Sequence, residues 1–389
     1  MDLNEYLEKM RGIQKDLLGY LDNEENIEEA FINLINIFDS HKIKENRHEL
    51  KSILRLILKI TKNHYRYPNF FSKIEKIINY LKDEIKKIFS NFEIFMIFKT
   101  SKRILLFLLK ENIMSIDTNI SAIMMNDKYK KANYHFYFFS EMKPFLDSKL
   151  REEIEKEIQS DYEEKREIGE NDSYLCEMIR SDLIDQFISF VNQQNIFLES
   201  KIKPSIFETN SYLIGKEITL IEYAAFFGSC QIFKYLYLNK VRTNRSLWFF
   251  AIHSDNPEMV HLLEVSEIRP EYNSYQKVIE ESIKCHHNEM ANYFLINHLN
   301  DKNENFRFIS FRYYNYCYFP SYFYDYMFIY NLCRYDYFTL VDIYLKTKKL
   351  NINERIISKK KKYFFLMKFK KKIVLMTFFI YLFNAIQNN

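Results

Sequence analysis

The sequence predicts an all-α fold in which helix pairs stack on one another. Apolar residues recur at the three- and four-residue spacing of helix faces, whereas hairpin turns and sustained alternation are scarce. One two-helix pattern also recurs along the chain, which indicates a repeat protein. The clearest helical stripe comprises Ile74, Ile77, Ile78, Leu81, Ile85 and Ile88.

Two helix starts are indicated by capping-box spacing. Ser72 stands three positions before Glu75 at the start of that stripe, and Ser90 stands three positions before Glu93, ahead of the apolar run 94–109. In a capping box each side chain satisfies an amide group that the first helical turn leaves free. We therefore expect a helix to begin at each serine.

The composition argues against several functions. The five glycines of the 389 residues never fall at the spacing of a phosphate-binding loop, so nucleotide sites of that kind are not expected. The 56 basic and 52 acidic residues are interspersed and give a net charge of +4. Only the C-terminal segment concentrates basic residues as a nucleic-acid-binding protein would, so no nucleic-acid partner is expected.

We divide the chain into four parts. Residues 1–145 form an N-terminal helical region, 146–170 an acidic connector, 171–350 a repeat region and 351–389 a Lys-rich, apolar tail. The connector has many charged and few apolar residues, which is typical either of a linker or of an exposed helix face. Five cysteines without C-x-x-C pairing, and an acidic start without an apolar stretch, predict a reduced, cytoplasmic chain.

The repeat pattern is a compact residue followed eight positions later by an apolar residue with apolar partners three and four positions further on. We interpret each copy as a short helix, a tight turn and a second, antiparallel helix. The compact residue lets the next pair approach closely, and each pair needs a neighbour to bury its apolar face. Four copies start at Cys176, Ala224, Ala251 and Ser282, and weaker copies start at Met96 and Leu332.

The turn inside each copy requires a residue that ends the first helix in a left-handed conformation. Gly228 stands there in the copy of Ala224, because glycine adopts this conformation without steric cost. Asp255 and His286 stand there in the next two copies. Pro257 falls near the start of a second helix, where its missing amide is tolerated.

Residues 219–229, Thr-Leu-Ile-Glu-Tyr-Ala-Ala-Phe-Phe-Gly-Ser, are similar to the ankyrin-repeat core T-P-L-H-x-A-A-x-x-G-H. Residues 246–258 and 282–293 look like more divergent copies. The whole resembles a family of protist ankyrin-repeat proteins in which a domain of unknown function precedes the repeats. The N-terminal runs that also look like this family are 20–26, 48–51 and 102–108.

This resemblance implies a stacked helical array whose concave surface binds protein partners, with no known catalysis. Two departures from the family pattern bear on that expectation. Leu220 and Glu222 stand where T-P-L-H has Pro and His, and nothing ankyrin-like follows Leu350. The resemblance therefore implies a short member with a smaller binding surface.

A few residues are candidates for metal binding. Cys285, His286 and His287 are adjacent, and His253 and His261 lie one copy earlier. Adjacent side chains on a helix point in different directions, and no C-x₂-C or H-x₃-H pair supports a metal site. We interpret these residues as structural and expect no catalytic residue, no cofactor and no metal ligand.

The aromatic block 306–338 has two interpretations. With Arg307, Arg312 and Arg334, its tyrosines and phenylalanines could form a base-stacking platform or a protein hot spot. The alternative, which we favour, is a degenerate repeat or insertion whose aromatic residues pack against their neighbours.

The C-terminal tail ends in the apolar run 373–383, whose 11 residues fall short of the about 20 that span a bilayer. The main prediction is a non-catalytic scaffold that binds an unidentified protein through its repeats. An unrecognised enzyme is less favoured. The other alternative is a membrane-associated adaptor, since basic residues beside an apolar stretch attract anionic lipid. Those residues are Lys359, Lys360, Lys361, Lys362, Lys370, Lys371 and Lys372.

Overall fold

The structure is a computed structural model that describes residues 2–66, 69–271, 274–299, 306–319 and 326–348. Within these ranges the chain is all helical, as predicted, with no β-strand and one isolated bridge between Lys201 and Thr219. The α-helices are α1 (Leu3–Asp22), α2 (Ile27–Ser40), α3 (Arg47–Asn63), α4 (Phe70–Tyr80), α5 (Lys82–Ile88), α6 (Asn91–Phe98), α7 (Lys102–Lys110), α8 (Thr118–Met124), α9 (Asp127–Lys130), α10 (Tyr134–Tyr137), α11 (Phe139–Met142), α12 (Ser148–Glu157), α13 (Tyr162–Ile168), α14 (Tyr174–Arg180), α15 (Ile184–Gln193), α16 (Leu220–Phe227), α17 (Cys230–Leu238), α18 (Leu247–His253), α19 (Pro257–Val265), α20 (Gln276–Cys285), α21 (Asn288–Asn297), α22 (Arg307–Tyr313), α23 (Tyr326–Arg334) and α24 (Phe338–Lys348). Short 3₁₀ turns are Ile43–Glu45, Lys143–Phe145 and Tyr316–Tyr318.

Only one of the two predicted capping boxes forms. The amide of Glu93 donates to Ser90 Oγ at 3.3 Å, and the amide of Ser90 donates to Glu93 Oε2 at 3.0 Å. The prediction at Ser72 is wrong, because α4 begins earlier, after Asn69 takes a left-handed conformation with φ of 62°. The apolar run 94–109 is divided between α6 and α7.

Six described helix pairs share one register. In each pair a fully buried residue, the anchor, lies four positions before a turn residue with positive φ. The second helical segment begins six positions after the anchor. The predicted left-handed turns at Gly228, Asp255 and His286 are therefore confirmed. The anchors and their turn residues are Met178 with Asp182, Ala224 with Gly228, Ala251 with Asp255, Ser282 with His286, Ser310 with Tyr314, and Leu332 with Asp336.

The structure corrects the register of two predicted copies. The amide of Ser229 donates to the carbonyl of Ala224 at 2.9 Å, and the matching bond of the earlier pair runs from Leu183 to Met178 at 3.0 Å. Met178 therefore holds the anchor position that the sequence pattern gave to Cys176. Met96 is 40% exposed, so it cannot act as a buried anchor.

The pairs pack side by side in chain order. Among the first helices, α14 packs on α16, α16 on α18, α18 on α20, α20 on α22 and α22 on α23, and the second helix α15 packs on α17. One hydrogen bond recurs between neighbouring pairs. Its donor is the side chain of the residue five positions after the anchor of one pair. Its acceptor is the backbone carbonyl of the residue that follows the anchor of the preceding pair. These bonds are Ser229 Oγ to Ile179 O (2.5 Å), His287 Nδ1 to Ile252 O (2.8 Å), Asn315 Nδ2 to Ile283 O (2.9 Å) and Tyr337 Oη to Phe311 O (2.9 Å).

The described residues form two apolar cores. The first core joins residues from the N-terminal region to residues 311–344, and the second core lies within 176–294. Arg55 of α3 binds Asp336 Oδ2 at 3.0 Å across the first core. The aromatic residues Phe311 and Tyr316 are fully buried there, so the last described helices pack against the N-terminal region.

The acidic segment 146–170 includes α12 and α13. Tyr162 and Arg166 of α13 are buried. The Arg166 guanidinium binds Glu141 at 2.7 Å and Glu163 at 2.6 Å. Two carboxylates thus balance the buried charge, as a buried guanidinium requires.

Candidate functional site

A long insert joins the two cores. Residues 194–219, the insert, connect α15 to α16 and account for the widest spacing between consecutive anchors of the described pairs. Phe207 packs against Tyr162 in the first core, with ring centroids 5.8 Å apart. Leu213 is buried in the second core. The residues of the insert carried no signal in the sequence of what they contact.

The insert also covers part of the face formed by the first helices. The Tyr212 ring stacks on Phe226 of α16 at 5.8 Å and lies 4.1 Å from the His253 ring of α18. Lys216 Nζ lies 3.0 Å from the centroid of the same tyrosine ring. The chain's own side chains therefore occupy part of the face formed by the first helices.

A cavity of about 200 Å³ lies where the insert meets the N-terminal region and α16. Four lysines and one carboxylic acid line it, together with apolar side chains. Two of the charged residues are buried and three are exposed. The buried ones are Lys102 and Glu208, and the exposed ones are Lys131, Lys203 and Lys216.

Lys102 holds the insert in place from the N-terminal region. Its Nζ donates to the carbonyls of Ile206 and Glu208, each at 3.2 Å, and lies 4.9 Å from the Tyr137 ring centroid. Burial lowers the pKa of this ammonium to about 7, against the opposing effect of the Glu208 carboxyl. An amine that titrates near neutrality is a common feature of binding sites.

Glu208 has one carboxyl oxygen without a hydrogen-bond partner among the described residues. Its Oε1 accepts the amide of Asn210 at 2.6 Å, whereas the buried Oε2 accepts no bond. Burial and the charge of Glu170 raise the pKa of the carboxyl, while Arg66 opposes them. A raised pKa favours the protonated form, which donates a hydrogen bond.

The histidines of the candidate metal cluster are mostly tied to backbone groups. His286 Nε2 donates to the carbonyl of Tyr313 at 3.0 Å, and Gln14 Nε2 lies 3.1 Å from its Nδ1. His287 Nδ1 donates to Ile252, and its Nε2 accepts the amide of Tyr65 at 3.3 Å. Each ring is thereby fixed in one neutral tautomer, since a carbonyl can only accept.

A fourth histidine, His64, was not singled out from the sequence. Its Nδ1 donates to the carbonyl of Cys285 at 2.9 Å, and its Nε2 lies 2.7 Å from Asp22 Oδ1. Burial lowers its pKa, but the Asp22 carboxylate, the charge of Asp255 and the bond to Cys285 together outweigh burial, so the net pKa is raised. The His64 ring lies 4.8 Å from that of His287, whose pKa is lowered by burial and by this charge.

Three other side chains come together as metal ligands could. His253 Nε2 lies 2.8 Å from Glu281 Oε1, and Cys285 Sγ lies 3.5 and 3.7 Å from the two nitrogens of that ring. Nitrogen, thiolate and carboxylate are ligands that zinc accepts. The Lys284 ammonium already binds the same carboxylate oxygen at 2.6 Å. Since the Cys285 sulfur is almost equidistant from both nitrogens of the His253 ring, it does not lie along the lone pair of either. The candidate His261 is exposed and does not join the cluster.

An exposed apolar row runs along the second helices. Leu238, Val265 and Ile296 occupy the same position relative to their anchors on α17, α19 and α21, and they are 77%, 60% and 80% exposed. Beside the row, Lys234 and Glu258 pair with each other at 2.8 Å. The row therefore presents apolar side chains beside balanced charges.

No helix in the described ranges has both the length and the apolar character needed to cross a bilayer. The lysines predicted to contact a membrane, at 359–362 and 370–372, lie outside the described residues. No family model, curated protein or solved structure matches the chain.

Proposed function

We propose that the chain is a non-catalytic protein-interaction scaffold built from divergent ankyrin-type helix pairs. The observation that supports this most is the shared register of six pairs, in which anchor, left-handed turn and second helix recur at fixed offsets. Such pairs bury their apolar faces on their neighbours and leave a long surface for partners.

The partner surface in this proposal is the row on the second helices. Part of the opposite face is covered by the insert through Tyr212. Three large apolar side chains in equivalent positions, Leu238, Val265 and Ile296, exceed the scattered exposure expected of a monomer surface. The charges of Lys234 and Glu258 beside the row balance, which favours an apolar protein surface over a polyanion as partner.

The test compares the full chain with variants of the row as bait for cellular proteins. A triple variant, Leu238→Gln, Val265→Gln and Ile296→Gln, should fold and lose a partner that the unaltered chain captures. Phe197→Gln is the matched control, because Phe197 is 70% exposed but lies outside the row. Capture that is equal in all three, or capture of no protein at all, would contradict the proposal. The full chain is used because residues 311–344 share a core with the N-terminal region.

A further inference from the structure

The cavity beside Lys102 concentrates positive charge that the described residues leave unbalanced. Lys102, Lys131, Lys203 and Lys216 all line it, and Glu208 is the only carboxylic acid in its lining. The Lys216 ammonium lies on the Tyr212 ring, 3.0 Å from its centroid, and none of the other three ammonium groups lies within 4.0 Å of a carboxylate among the described residues. Like charges gathered around a small volume repel one another and attract a counter-anion.

One buried group in the lining also suits an anion. Oε2 of Glu208 has almost no accessible surface and therefore adds no contact to a ligand, which leaves Lys102. Lys102, which is 2% exposed, directs two bonds to the insert carbonyls of Ile206 and Glu208 and has three donors in all. Lys102 thus keeps one donor beyond these two bonds, in a position where burial strengthens electrostatic contacts.

The remaining lining determines the shape of the ligand. Ile202, Pro204, Leu213, Ile214 and Ile218 supply apolar walls. A ligand that fits them carries a small apolar body as well as its acidic group. Three lysines suit a dianion with several terminal oxygens better than a carboxylate with two, and lysine binds phosphate as a compact charge.

We propose that this cavity is a binding site for a small phosphomonoester with an apolar body, whose phosphate lies among Lys102, Lys131 and Lys203. The ligand would contact the N-terminal region, the insert and α16 together, because the lining comes from all three. Binding would therefore stabilise the folded chain by linkage. This site is independent of the scaffold function proposed above.

Isothermal titration of the full chain with phenyl phosphate, at fixed ionic strength, tests the proposal. We expect saturable binding that Lys131→Gln weakens by about tenfold, as loss of one charge-assisted contact does. Lys130→Gln is the matched control, since Lys130 is an exposed neighbour that does not line the cavity. Lys203→Gln should weaken binding in the same way as Lys131→Gln.

Three results would overturn the proposal. They are the absence of saturable binding, an equal loss in Lys130→Gln and Lys131→Gln, and binding of benzoate as tight as that of phenyl phosphate. Inorganic phosphate should bind more weakly than phenyl phosphate, because it leaves the apolar walls unfilled; equal affinity would exclude the apolar body. The lysines at 130, 131 and 203 are exposed, so their variants keep the fold, which unchanged urea midpoints verify.

Discussion

The imidazole of His287 donates from Nδ1 to the carbonyl of Ile252, 2.8 Å away, and so joins two neighbouring helix pairs. Its Nε2 accepts the amide of Tyr65 from the N-terminal region. The same ring thus connects three parts of the chain. Asn315 makes the equivalent bond one pair later, to Ile283 at 2.9 Å.

Removing the imidazole should therefore destabilise the fold. We expect His287→Ala to lower the free energy of unfolding by about 1–3 kcal/mol, because the buried bond to the Ile252 carbonyl and the part-buried bond from the Tyr65 amide are both lost. His287→Asn should cost less, since asparagine makes the equivalent bond at position 315. Urea denaturation measures both. His261→Ala, at an exposed position, is the control and should leave the midpoint unchanged.

Acid should weaken the fold partly through His286. Burial, and then the charge of His64, lower its pKa to about 3. The unfolded imidazole titrates near pH 6.5, so between these values the unfolded state binds a proton that the folded state does not. The contribution of His286 is present above about pH 6.5 and is lost as the pH falls towards about 3.

The variant His286→Asn isolates this contribution, because asparagine does not titrate and tolerates the left-handed turn. On acidification the unfolding free energy of the unaltered chain should fall more steeply than that of the variant, by up to about 1.4 kcal/mol per pH unit. Urea denaturation at a series of pH values gives both slopes. Parallel curves would show that His286 titrates normally in the folded chain.

Replacing each of two glycines with alanine should change the stability of the fold in opposite directions. Gly228 has φ of 70°, and a Cβ there would lie 3.0 Å from Asn256 Nδ2. Gly228→Ala should therefore cost about 1–2 kcal/mol. Gly12 lies within α1 with open space around it, so Gly12→Ala should stabilise by up to about 1 kcal/mol. Thermal unfolding compares them, and a loss of equal size in both would contradict the assigned turn.

Overpacking at an anchor should destabilise the stack. Ala224 is fully buried on α16, which packs on both α14 and α18. Ala224→Phe should lower the free energy of unfolding by about 1–3 kcal/mol. Leu238→Phe, at a position that is 77% exposed, is the control. An unchanged urea midpoint for Ala224→Phe would show that this position is not a tight seam.

Local patterns predicted the helices and the turns, because helical periodicity and left-handed residues act over a few positions. The same periodicity placed one copy at Cys176 instead of Met178, since both residues are buried and apolar spacing alone cannot separate them. For the pair around Ser310 the sequence predicted only a degenerate repeat or insertion within 306–338 and no anchor, and its second segment, Tyr316–Tyr318, is only a 3₁₀ turn.

The cavity could not be predicted from one sequence. Lys102 and the carbonyl of Glu208 are 106 positions apart, and no short-range pattern links them. For the metal candidates, in contrast, the sequence did single out two residues that meet in the fold. His253 and Cys285 do come together, but Glu281, which completes the cluster, stood among many acidic residues on helix faces and carried no distinguishing signal.

The most direct test of the stacked pairs is a distance between equivalent positions on second helices. Spin labels at Leu238→Cys and Ile296→Cys, in a chain with the exposed Cys317 replaced by serine, report that distance by double electron–electron resonance. Because α19 lies between α17 and α21, and packed helices are about 8–10 Å apart, we expect a narrow distribution of label distances centred at about 20 Å. A broad distribution, or one centred at more than about twice that value, would contradict the stacking of α17, α19 and α21.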